Sequence, residues 1–62
     1  MNLYQIDIDY KQSPAQRMYV VCDSFSDANE FAVEKQNDDG RILKIEKLLE
    51  NVIVIDKKTK AL

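Results

Sequence analysis

Asp7 and Asp9 stand two residues apart in a stretch, residues 3–10, where apolar and polar types alternate. On a strand both carboxylates share one face, about 7 Å apart. Such a pair can hold a divalent cation or share a proton. Calcium asks for about six to eight oxygens, and no loop of this sequence supplies the rest. The pair therefore reads as the solvated side of a half-buried strand. The run Asn37, Asp38, Asp39, Gly40 lacks the ligand spacing of a calcium loop and reads as a helix stop. The 62 residues hold one Cys and no His. That excludes a disulfide within the chain, a zinc site built from this chain alone and any imidazole catalysis. Cys22 has no basic neighbour in sequence to favour its thiolate and reads as a small hydrophobe. Ser13, Ser24 and Ser26 have no evident general base. No acid, base and nucleophile can be assembled, so the expectation is a protein that is not an enzyme, with no cofactor and no metal.

A second chemistry to weigh is nucleic-acid binding. Tyr4, Tyr10 and Tyr19 could stack bases, while Arg17, Arg41, Lys44 and Lys47 reach phosphates. Against it, Asp7, Asp9 and Glu46 share the sheet, and the net charge is −2. Nucleic-acid binders show the opposite balance. The charge is also unevenly spread. Residues 1–40 carry eight acids against three bases, and residues 41–62 six bases against three acids. A solvated acidic helix beside a lysine-bearing strand accounts for the split. Two electrostatic faces that steer a charged partner are the functional alternative.

These residues must be positioned by elements. In residues 3–10, Tyr4, Ile6, Ile8 and Tyr10 fall on one side, which predicts a strand. Pro14 ends the following turn, and residues 16–22 form a second strand and a hairpin, with Met18, Val20 and Cys22 on one face. Ser26 is the expected N-cap of a helix, Phe25 a staple over its first turn, and Asp27 and Glu30 favour its positive end. Ala28, Phe31, Ala32 and Lys35 form a narrow apolar stripe. Gly40 is the expected left-handed stop. Residues 41–48 read as a third strand, with Leu43 and Ile45 on one face and Lys44 and Glu46 on the other. Residues 52–56 read as a fourth, joined through Asn51, which tolerates positive φ. One long bent strand over residues 43–55, or a second helix over residues 42–51, are the alternatives. The predicted fold is α+β: ββαββ, one four-stranded antiparallel sheet with a single helix on one face. Residues 1–56 form one domain, and the polar tail of residues 57–62 is expected to fray.

A single helix covers one side of such a sheet. The run Val52, Ile53, Val54, Ile55 is apolar on both sides whatever its register. Its outward residues, with Tyr19 and Val21, predict an apolar patch flanked by Asp7 and Asp9. Ile53 and Val54 would point to opposite faces of a strand, so one of them belongs to the patch. A chain this short, with neither disulfide nor metal, sits near the balance of folding, and association supplies the missing support. The expectation is a homo-oligomer that also binds a protein partner. A second candidate surface is the acidic helix face of Asp27, Glu30, Glu34 and Asp38, which could mimic nucleic-acid charge toward a basic protein. The rival reading is a nucleic-acid-binding module using Arg41, Lys44, Lys47 and the tail lysines Lys57, Lys58 and Lys60. The longest uninterrupted apolar run is residues 18–22, too short for a membrane span. Asp7, Asp9, Lys11 and Arg17 argue against a signal peptide, so a cytoplasmic chain with a reduced Cys22 is expected.

The string Cys22, Asp23, Ser24, Phe25, Ser26, Asp27, Ala28, leading from strand to helix, resembles the strand–SFSDA–helix junction of small uncharacterised phage and prophage proteins. The resemblance covers a small part of the chain, and its motif is one of cap and staple. It carries over no catalytic residue. It implies an accessory protein that acts by binding, as small phage products often do by occupying a host factor.

Overall fold

The alternation at the start of the chain forms the centre of the sheet. In the computed structural model, which describes residues 1–55, strand β1 (Asn2–Tyr10) lies between β2 (Gln16–Cys22) and β3 (Gly40–Leu49), both antiparallel to it. Helix α1 (Phe25–Gln36) lies between β2 and β3 in sequence and covers one face. Tyr4, Ile6 and Ile8 of β1 are buried beneath it, together with Ala28 and Ala32 of the helix. Alanine at both helical contact positions removes bulk, so the helix backbone can settle close to the sheet. Met18, Val20, Phe31, Ile42, Ile45 and Tyr10 close the margin of this core. The Tyr10 hydroxyl donates to the Lys35 carbonyl at 2.9 Å, tying the end of β1 to the last turn of the helix.

The expected four-stranded ββαββ sheet is replaced by a three-stranded sheet in ββαβ order. Residues 52–55 belong to no strand. After β3 the chain turns at Asn51, whose φ is 55°. The Asn51 amide donates to Asn2 Oδ1 at 3.4 Å, and that of Val52 to the Met1 carbonyl at 2.6 Å. These bonds lead the chain toward the start of β1 instead of back along the open side of β3. The tail of residues 57–62 lies outside the described residues.

The helix is capped by Ser24, not Ser26. Ser24 has extended φ and ψ of −147° and 162°, and its hydroxyl accepts from the Asp27 amide at 3.2 Å. Phe25 is then the first helical residue, its ring edge-on to Tyr4 with centroids 6.3 Å apart. At the other end the positive φ belongs to Asn37, at 55°, and Gly40 has none. Gly40 serves a different need, because a Cβ there would lie 2.5 Å from the Gln36 carbonyl oxygen and 2.9 Å from the Tyr10 ring. Strand β3 also departs from simple alternation. Its register against β1 shifts twice, next to Leu43 and next to Leu48. The bulge at Leu43 brings both Ile42 and Ile45 to the core side and leaves Leu43 exposed.

Candidate interaction surface

The sheet face opposite the helix is built by the other parity of β1: Leu3, Gln5, Asp7 and Asp9. Pairing registers extend each of these into a row. Leu3 lies between Val21 and Leu49, Gln5 between Tyr19 and Glu46, and Asp7 between Arg17 and Lys44, while Asp9 faces Arg41. One end of the face is thus an apolar row of three side chains, and the face grows more charged toward the other end. The gradient follows from residue type on fixed strands.

The charged end is internally neutralised. Arg17 forks onto Asp7, with Nε to Oδ1 at 2.9 Å and a terminal nitrogen to Oδ2 at 3.3 Å. The hydrogen bond from Arg17 holds the Asp7 carboxyl below its ordinary value against a smaller opposing effect of desolvation. The charge of Arg17, a bond from Gln5 and the nearby charge of Lys44 add to the lowering. The same bond raises Arg17. Arg41 stands 3.9 Å from Asp9, and Lys44 Nζ 2.7 Å from Glu46. Lys47 bonds Glu50 at 2.6 Å, which lowers the Glu50 carboxyl and raises the Lys47 amine. Asp7 and Asp9 are therefore partners of arginines and not a bare acidic flank. Asp27, Glu30, Glu34 and Asp38 belong to the helix and its end, across the sheet from them, so the six predicted acidic residues divide between two opposite sides. Of the rival nucleic-acid set, Arg41, Lys44 and Lys47 each meet a carboxylate, and Lys57, Lys58 and Lys60 lie outside the described residues.

The predicted apolar patch is dispersed over two elements. Tyr19 and Val21 stand on the outer face of β2, Tyr19 being 57% exposed and Val21 half-buried. Ile53 and Val54 lie in the segment after the turn, 83% and 59% exposed, and Ile55 beside them is 67% exposed. Since no strand forms there, the alternation that would have set Ile53 against Val54 does not apply. Leu3 and Leu49, which extend Val21 into an apolar row, and Met1, bonded by Val52, lay outside the sequence reading of the patch. Leu3 shares the parity of Gln5 and Asp7, a signal present in the sequence. Leu49 required knowledge of the Leu48 bulge, and Met1 of the bond from Val52.

A depression of about 290 Å3 lies at the charged end, lined by Asp7, Ala15, Gln16, Arg17 and Leu43. Its two charged groups are already paired with each other, and its lining holds no nucleophile. Cys22 is half-buried, its thiol donating to the Ser24 carbonyl at 3.4 Å. Among the described residues no group of three or more Cys, Asp or Glu could hold a metal ion, and no helix is long and apolar enough to cross a membrane. No protein-family model, curated protein or solved structure matches the chain at a significant level.

Proposed function

We propose that the chain is a non-enzymatic protein-interaction module of the cytoplasm that self-associates and binds a protein partner through the apolar end of its outer surface. The observation that carries this reading is the exposed run Ile53, Val54, Ile55, held outside the sheet next to Met1 by the bond from Val52. Consecutive β-branched residues left in water are costly, at roughly 25 cal/mol for each Å2 of apolar surface. Contiguous exposure of this kind marks contact sites for other polypeptides. The pairing of Arg41, Lys44 and Lys47 with carboxylates supports the protein partner over nucleic acid. The junction from Cys22 to Ala28 suggests an accessory or inhibitory protein of phage type acting on a host factor.

The test is an affinity capture from nuclease-treated host lysate, run beside sedimentation at micromolar concentration. Support is a protein held by the native chain and lost with Ile53→Lys plus Val54→Lys, together with a mass above the 7.2 kDa of one chain. A single 7.2 kDa species that captures no protein from the nuclease-treated lysate refutes it. A salt-dependent shift of an oligonucleotide would favour the rival reading instead.

A further inference from the structure

Among the described residues the sheet has two open edges, β2 and β3, and their sequences differ in kind. The open side of β3 is guarded. It carries Arg41, Lys44, Glu46 and Lys47, and its register is broken twice by bulges. Charges and bulges are the devices by which edge strands resist pairing with another chain. The open side of β2 has no bulge and a single charge. Its register against β1 runs unbroken from Asn2 opposite Cys22 to Ile8 opposite Gln16. Residues 18–22 are Met, Tyr, Val, Val and Cys, without a charge or a proline. The one charge of the strand, Arg17, is already bound to Asp7.

We propose that the open edge of β2 pairs antiparallel with β2 of a second copy of this chain, joining two three-stranded sheets across a two-fold axis. This rests on the self-association proposed above and assigns its contact. A two-fold contact must complement itself, each residue meeting on the partner the residue that meets it in return. Pairing centred on Tyr19, the middle of the seven-residue strand, meets that condition. Arg17 falls opposite Val21, Met18 opposite Val20, and Tyr19 opposite its own copy, so no like charges face each other. The two Arg17 side chains lie four residues apart along the pair, about 14 Å at the rise of a strand. The aliphatic stem of each can cover the half-buried Val21 of the other copy while its head stays on Asp7. Every open amide and carbonyl along the edge gains a partner in this arrangement.

The closing experiment uses full-length chains. Tyr19→Cys in a Cys22→Ala background places one thiol at the axis. Directly opposed strand residues have Cα atoms about 4.5–5.5 Å apart, within disulfide range. The expected result is a covalent dimer under mild oxidation, with Lys44→Cys on β3 in the same background giving none. In sedimentation, the native chain should run at twice its 7.2 kDa mass, and Tyr19→Lys at the single mass with its helical circular dichroism retained. Ile53→Lys plus Ile55→Lys should leave the dimer in place. If that pair abolishes the dimer while Tyr19→Lys preserves it, the contact is residues 52–55. The β2 assignment then fails, and self-association stands. If dimers form but the Lys44 thiol cross-links in place of the Tyr19 thiol, the assignment fails in favour of β3. A native chain at single mass throughout overturns both.

Discussion

Asp7 shows what a pair of opposite charges on a wet sheet face does. Its carboxyl is lowered chiefly by the Arg17 hydrogen bond, so the folded chain favours the carboxylate more than the unfolded chain does. The sign follows directly. The pair supports the fold above the ordinary carboxylate range, and that support is lost as pH falls through the lowered value. Arg17→Gln should raise the Asp7 midpoint, followed by the carboxyl chemical shift, and make the fold less sensitive to acid. An unchanged midpoint would remove Arg17 as the cause. Gly40 acts by space and not by charge or backbone angle. Since the carbonyl oxygen of Gln36 would lie 2.5 Å from a new methyl group, Gly40→Ala must separate the helix end from β3. Forced overpacking of this kind costs about 1–3 kcal/mol. The loss is readable as a lower urea midpoint with the slope unchanged. A midpoint within error of the native one would mean that the helix end yields freely.

At the scale of elements, the helix start offers a sharp comparison between two serines. Ser24 accepts from the Asp27 amide, whereas Ser26 stands within the first turn. Ser24→Ala should cost about 1 kcal/mol of stability. Ser26→Ala should stay within about 0.5 kcal/mol, as surface positions do. Equal losses in urea unfolding would contradict the observed cap. The sequence held this signal, since Ser24 and Asp27 have the spacing of a capping box. Ser26 competed with it because Phe25 reads equally well as a residue outside the helix. β1, β2 and the helix stripe were legible because each follows a single period over its length. β3 was legible as a strand but not face by face, because each bulge inverts the parity and a bulge has no sequence mark here. The mistaken fourth strand has another origin. Strand propensity in residues 52–55 is high, but a strand also needs an open edge within reach, and the turn at Asn51 directs the chain toward Met1. The apolar row of Val21, Leu3 and Leu49 was hidden for the same reason: register is a relation between distant segments.

For the whole molecule, the balance of core and surface decides whether one chain suffices. Among the described residues five side chains fall in the buried apolar class, and two of them are alanines. Ten large apolar side chains (Met1, Tyr19, Phe25, Val33, Leu43, Leu48, Leu49, Ile53, Val54 and Ile55) are exposed among the described residues, against three that are buried, Tyr4, Ile6 and Ile8. A single Cys offers no disulfide within the chain, and in the dimer proposed above a second chain supplies the added support. That support has a thermodynamic signature independent of any cross-link. Above the dissociation constant, each tenfold rise in concentration lowers the fraction of the chain present as free folded monomer by the square root of ten. This adds about 0.7 kcal/mol per chain, half of the ~1.4 kcal/mol of a full tenfold change, because two chains share one complex. For a domain of this length the melting temperature should then rise by about 3–6 °C per decade of concentration. Tyr19→Lys should melt at a temperature independent of concentration. At the lowest concentrations, where the native chain is itself monomeric, the two should converge, since an exposed Tyr19 adds little to the isolated fold. Calorimetry over two decades of concentration reads all three behaviours. A native melting temperature that stays flat over that range means the chain folds alone, with its apolar end left to a partner of another kind.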